Sequence, residues 1–211
     1  MTPATHPKMT DVSITVDLAE DYTDIREQVA KLCQDFTGDY WRDLEKQPPS
    51  GSYPTAFIEA LTAAGYLAAL IPEEYGGSGL GIREAATILE TVHRSGGNGA
   101  ACHAQMYIMG ALLRHGSEEQ KQAYLPGIAD GSLRLQAFGV TEPTSGTDTS
   151  RIRTTAVKDG DQYVVNGQKI WTSYAHEADW IFCLVRTEQS ARRQEGISFL
   201  LIDMRTPGVE V

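Results

Sequence analysis

The run Ser132-Leu133-Arg134-Leu135-Gln136-Ala137-Phe138-Gly139-Val140-Thr141-Glu142-Pro143-Thr144-Ser145-Gly146-Thr147-Asp148 divides the chain. Before it, apolar residues recur every three or four positions, the period of an α-helix. From Leu133 the period drops to two. Leu133, Leu135 and Ala137 alternate with Arg134, Gln136 and Phe138, as residues on opposite faces of a strand do. The run then opens into a loop dense in hydroxyls and glycine. The expected fold class is α+β: an N-terminal α-helical bundle over residues 1–132, then an antiparallel β-barrel-like domain, or meander, over 133–211.

Working back from Ser132, Ser117-Glu118-Glu119-Gln120 reads as a capping box opening a short helix that ends at Pro126-Gly127. A helix over Ala100–Arg114 is apolar over a wide arc, which suits a central position; Met106 and Met109 are candidates to line a pocket, with core packing the alternative. Helices over Ile82–Arg94 and Thr55–Ala64 precede it, with Gly65 placed to end the latter. The first helix is expected over Asp21–Lys46, since Ile25, Val29, Leu32, Phe36 and Tyr40 share one face.

Working forward, Asp159-Gly160 and Asn166-Gly167 signal hairpins of the type that needs φ > 0 twice. Tyr163-Val164-Val165, Trp180–Val185 and Ile197–Ile202 read as strands, and Val209-Glu210-Val211 as the start of another. A sheet cut there would leave an apolar edge, so the expectation is that the sequence continues or that another chain completes it.

Composition narrows the function classes. The 211 residues carry a net charge of −10, with 41% hydrophobic and 22% charged residues. That is the profile of an ordinary globular protein; nucleic acid is not an expected partner, because no basic run is present. No stretch approaches the roughly 18 apolar residues of a membrane helix, and Met1–Asp11 lacks the make-up of a signal peptide, so a cytoplasmic location is expected. Cys33, Cys102 and Cys183 form no CxxC pair and read as buried thiols, and none of the five histidines has a convincing metal-ligand spacing. No metal site is expected.

Two features suit a ligand. The loop Phe138–Asp148 has the free N–H and O–H groups that wrap a heterocycle or a phosphate, although spacing alone favours a Ser- and Thr-rich turn. The segment Gln168-Lys169-Ile170-Trp171-Thr172-Ser173 offers a Trp to cover an aromatic ligand and hydroxyls to reach a ring nitrogen; a core Trp is the alternative. Glu142 is conspicuous but belongs to the loop.

Together, Val140–Asp148 and Asn166–Ser173 resemble the acyl-CoA dehydrogenase signature. Ile71-Pro72-Glu73-Glu74-Tyr75-Gly76-Gly77 and Glu118–Pro126 resemble two further stretches of that family. The resemblance covers the chain from about residue 20 onward. It implies a helical domain and a middle β domain, truncated before a C-terminal helical domain, with FAD bound in extended form. It implies that Phe138, Gly139, Val140 and Thr141 meet the flavin edge, that Trp171 lies against the ring, and that Thr172 and Ser173 reach the N5 region. Thr172 departs from the family's usual Ile at that place. Thr147 matches a position that touches the acyl-CoA thioester. The implied reaction is α,β-dehydrogenation of an acyl-CoA, with an electron-transfer flavoprotein as redox partner and a homo- or hetero-oligomeric assembly. Donors around the ring would favour its electron-rich reduced form. The family's catalytic Glu lies beyond Val211, so no catalytic residue is assigned. A non-catalytic FAD- or acyl-CoA-binding subunit of a hetero-oligomer, or an inactive fragment, stands as the alternative.

Overall fold

The computed structural model describes residues 21–189 and 192–211. The reading of Met1–Asp11 lies outside the described residues. Among the described residues six α-helices come first: α1 (Thr23–Cys33), α2 (Gly38–Glu45), α3 (Thr55–Ala63), α4 (Ile82–Arg94), α5 (Ala100–His115) and α6 (Glu118–Ala129). Five strands follow: β1 (Leu135–Gly139), β2 (Thr155–Asp159), β3 (Gln162–Asn166), β4 (Trp180–Arg186) and β5 (Ile197–Asp203). The α+β class agrees with the sequence.

The expected single first helix is two. The chain turns between Cys33 and Gly38, and the turn swings Phe36 into an aromatic cluster. Phe36, Tyr40, Trp41 and Phe57 meet edge to face at about 5 Å between centroids. Trp41 Nε1 closes the turn by donating to the Phe36 carbonyl at 3.1 Å. Thr37 and Gly38 are poor helix formers, so packing of these rings outweighs a continuous helix.

Gly65 takes a φ of 77° after α3, as its placement predicts. The capping box of α6 is formed: Gln120 N donates to Ser117 Oγ at 3.3 Å, and Ser117 N to Gln120 Oε1 at 2.9 Å. The helix does not stop at Pro126-Gly127, however. It runs on to Ala129, because Leu125, Ile128 and Ala129 are buried and that burial offsets the roughly 3 kcal/mol cost of an internal proline.

The sheet corrects the antiparallel, barrel-like expectation. It is mixed and open, in the order β1-β4-β2-β3, with β5 also pairing β4. β4 runs parallel to β1 and, through Thr155 opposite Arg186, parallel to β2; it is antiparallel to β5 along its whole length. Alternating residues cannot reveal strand direction. Parallel neighbours need a long crossover, and residues 140–179 provide it.

The β2–β3 hairpin forms, but its turn is Gly160-Asp161, with Asp159 paired to Gln162 as the last strand residue, and only Gly160 is left-handed, at φ 60°. Asn166-Gly167 makes no hairpin. A side chain on Gly167 would overlap Thr154, so this glycine serves a close approach of two chain segments. Val209–Val211 forms no strand.

One core joins helices and sheet, with Ile88, Ile108, Met109 and Leu125 from the helices and Leu135 and Phe182 from the strands. Met106 and Met109 belong to it and are buried. α5 lies against β1: Gln105 Nε2 donates to the Leu133 carbonyl at 3.0 Å, and the Tyr107 ring meets Phe138 edge-on at 5.1 Å. The position of the loop after β1 is thereby set by the helical part. Among the described residues no helix is long and apolar enough to cross a membrane.

Candidate functional site

β1 ends at Gly139, and its side is closely packed. A Cβ there would come within 2.9 Å of Ile181 Cδ1 and 3.3 Å of Lys169 Cγ. Val140 is buried, Phe138 is half-buried on Phe182 at 4.8 Å between centroids, and Thr141 is half-buried at the loop mouth.

The loop is not a plain hydroxyl-rich turn. Glu142 and Ser145 close it with two backbone hydrogen bonds, of 2.8 and 3.1 Å. The Glu142 side chain then turns inward, 4% exposed, and collects three donors. Arg153 N gives to Oε2 at 2.6 Å, Thr154 N to Oε1 at 2.9 Å, and Lys169 Nζ to Oε1 at 2.8 Å. Lys169 Nζ also donates to the Val140 carbonyl at 3.3 Å. Burial alone would raise the Glu142 pKa; the Lys169 ammonium and the Arg153 and Thr154 N–H groups outweigh it and hold the carboxyl at about 2. A carboxylate so placed is a structural anion and cannot serve as a base near neutrality.

The consequence is positional. Lys169 belongs to the second segment, so the ion pair fastens Asn166–Ser173 to the loop after β1, and Ile170 N donates to the Thr141 carbonyl at 2.9 Å alongside it. Segments separated by the whole β2–β3 hairpin are therefore joined.

What lies beyond this join is unusual. Trp171 is 85% exposed and left-handed, at φ 60°, and Tyr174 is left-handed at φ 57°. A bulky residue in that region is strained, and such strain concentrates at functional sites. Thr172 Oγ1 is buried with no hydrogen-bond partner among the described residues. Buried hydroxyls are ordinarily paired. Ser173 is exposed in the following turn.

The segment that carries Trp171 and Thr172 is thus held beside Gly139, Val140 and Thr141 through Lys169 and Ile170. Thr147 sits on the exposed outer part of the loop, and among the described residues no hydrogen bond ties it to Trp171, Thr172 or Ser173. Sequence reasoning quoted Lys169 without giving it a role. The signal was there: Lys169 is the one charged residue of Asn166–Ser173, and Glu142 is an acid set among uncharged residues from Phe138 to Thr147.

The three cysteines are buried, and burial pushes Cys102 up to about 12, so none is a ready nucleophile. Among the described residues no group of three or more His, Cys, Asp or Glu is placed to hold a metal ion.

Comparison with known proteins covers both parts of the chain. Residues 19–132 match the acyl-CoA dehydrogenase N-terminal domain and residues 137–211 its middle domain. The chain is 36% identical to the acyl-CoA dehydrogenase FadE29 of Mycobacterium tuberculosis over 197 residues, 93% of this chain and 49% of that protein. Among solved structures, the Tcur3481-Tcur3483 steroid ACAD is similar with a TM-score of 0.76 and 33% identity, over 90% of this chain and 50% of that one. An acyl-CoA dehydrogenase complexed with FAD from Bacillus anthracis is similar with a TM-score of 0.78 and 28% identity, over 91% of this chain and 33% of that one. The chain spans about half the length of the curated relatives it matches.

Proposed function

Since the chain belongs to the acyl-CoA dehydrogenase family, we propose that it supplies part of an FAD site, and that the whole protein carries out α,β-dehydrogenation of an acyl-CoA thioester. The observation that carries the reading is the Glu142–Lys169 join, which sets a strained, exposed Trp171 and an unpartnered Thr172 hydroxyl beside the loop Phe138–Thr141.

These residues fit a flavin. In this reading Trp171 presents an uncovered indole face for a flat heterocycle to rest on. Thr172 Oγ1 has no partner among the described residues, and a ring nitrogen would be one. Ser173, exposed in the adjoining turn, is a second hydroxyl for the same region. Phe138 and Val140 supply apolar walls, Gly139 lets the chain pass close, and Thr141 offers a hydroxyl at the polar edge. The bound flavin would supply the hydride acceptor. The protein's own part is to orient the ring, exclude water from one face and place donors at its edge.

Thr147, on the outer loop, is proposed as a contact for the acyl-CoA thioester. No residue of the chain is proposed as the base; Glu142 is held as an anion at about 2. An electron-transfer flavoprotein as redox partner, a homo- or hetero-oligomeric assembly and a cytoplasmic location complete the reading. A second reading, a non-catalytic subunit paired with a fuller relative, is favoured by the likeness to a steroid ACAD whose name joins two designations, Tcur3481 and Tcur3483, and to a ChsE4-ChsE5 complex.

The test is anaerobic addition of short, long and steroid-side-chain acyl-CoAs to the flavin-loaded protein. Bleaching of the visible flavin band by one of them supports the dehydrogenase. Tight acyl-CoA binding without bleaching, with a co-purifying dehydrogenase-like chain, supports the second reading.

A further inference from the structure

The join at Lys169 fixes one end of the turn that carries Trp171, Thr172 and Ser173, where Ile170 N donates to the Thr141 carbonyl at 2.9 Å. Trp171 and Ser173 are exposed. Exposed side chains are placed by the backbone that carries them, so the far end of the turn matters as much as the near one. That far end is Tyr174.

Tyr174 is left-handed, at φ 57°. Asn or Gly takes this region at little cost, whereas a bulky side chain strains it. The ring has a use here. It meets Tyr53 edge-on, at 5.5 Å between centroids and 90° between planes. Tyr53, just before α3, is buried and is itself held on both sides. Gln136 Nε2, from β1, donates to its Oη at 2.7 Å, and the Arg134 guanidinium covers its face at 4.4 Å.

Arg134 closes a circuit back to Tyr174. Its Nη1 pairs with Glu177 at 3.1 Å, and the Glu177 and Ala178 N–H groups each donate to the Tyr174 carbonyl at 3.0 Å. The Arg134 backbone holds Asp179 as well: its N–H donates to Asp179 Oδ2 at 2.7 Å, and its carbonyl accepts from Asp179 N at 2.9 Å. The ring and the carbonyl of Tyr174 are thus both tied to residues anchored at β1. The edge-to-face contact offsets the backbone strain. Three residues separate Ile170 from Tyr174, so a turn with both ends fixed has little conformational freedom between them.

We propose that Tyr174 is a positioning residue for the flavin edge. Acting through Tyr53 and Arg134, it holds the Trp171 indole and the Ser173 hydroxyl where the flavin reading needs them, and the proposal rests on that reading. A donor held in place favours the electron-rich reduced ring over the oxidised one; a donor free to swing does so less.

The experiment compares the full chain with Tyr174→Asn, which tolerates the left-handed backbone but lacks the ring, and with Tyr174→Phe, which keeps the ring. With FAD bound, the midpoint potential is measured by dye equilibration. Tyr174→Asn is expected to lower the preference for reduced over oxidised flavin about ten-fold, about 30 mV for a two-electron couple, while Tyr174→Phe stays at the native potential. Without FAD, the ¹³C-methyl signal of Thr172 is expected to lose order in Tyr174→Asn and keep it in Tyr174→Phe. The methyl signals of Leu135, buried in the core beside Arg134, should be unchanged in both. Should Tyr174→Asn fail to fold, Glu177→Gln, which uncharges the partner of Arg134, takes its place, with changes of the same sign.

A lower melting temperature with a native potential and native Thr172 order would make Tyr174 merely structural and overturn the proposal. A Thr172 methyl that keeps its order in Tyr174→Asn overturns it with or without flavin. A native chain that takes up no FAD overturns the flavin reading, and with it the role of Tyr174 toward the flavin; the methyl signal then reports separately on whether Tyr174 holds the turn.

Discussion

Lys169 Nζ lies 2.8 Å from Glu142 Oε1, with both side chains under a tenth exposed, and this pair joins the loop after β1 to the segment that carries Trp171. Neither charge has another ionic partner among the described residues. Breaking the pair on one side leaves a buried, uncompensated charge, whereas removing both ends costs much less.

Lys169→Met is therefore expected to destabilise the chain by about 3 kcal/mol, a fall of roughly 6–12 °C in melting temperature for a domain of this size. Adding Glu142→Gln to it recovers part of the loss. A melting temperature unchanged in the single variant would show that the pair is not a structural join.

Acid should reveal the same group. The folded Glu142 pKa, at about 2, lies below the ordinary value of 4.5. A depressed folded pKa means stability that is present above the unfolded pKa and is lost as pH falls toward the folded one. Denaturant midpoints measured from pH 5 to pH 2 are expected to drop across this window, and the drop to be shallower in Glu142→Gln. Parallel profiles for the two proteins would contradict the assignment.

Thr172→Val replaces an unpaired buried hydroxyl with a methyl of similar shape. Without flavin it is expected to be neutral or to stabilise by about 1 kcal/mol, since no hydrogen bond is lost. With flavin it should weaken retention. A clear loss of stability in the flavin-free protein would mean that the hydroxyl already has a partner.

Trp171→Asn tests the strain. Asn tolerates the left-handed region and Trp171 packs little, so the flavin-free melting temperature should hold or rise. Flavin affinity should fall about ten-fold with loss of the stacking face. A destabilised protein with unchanged flavin binding would place Trp171 in the core instead.

Much of this fold was legible because its signals are local. The Ser117 box, Gly65 and the change of period at Leu133 depend on residues within a few positions of one another, and each appears where the sequence places it. What escaped is long-range. The direction of β1 relative to β4 is set by the crossover between them, and the break after Cys33 is set by Phe57, a ring from another helix. Asn166-Gly167 looked like a turn because turn glycines and close-approach glycines are spelled alike; Thr154 decides which it is. At the candidate site, Phe138–Thr141 and Trp171–Ser173 were readable as motifs. The positive φ of Trp171 and the burial of Lys169 were not, since both follow from how two distant segments are pinned.

The most direct measurement of the central claim is the visible spectrum of the purified 211-residue chain beside that of its Lys169→Met/Glu142→Gln variant, each after saturation with FAD and gel filtration. The account predicts a flavin band near one per chain in the native protein and a marked loss in the folded variant. A folded native chain that stays colourless, or a variant that keeps the flavin in full, would contradict it.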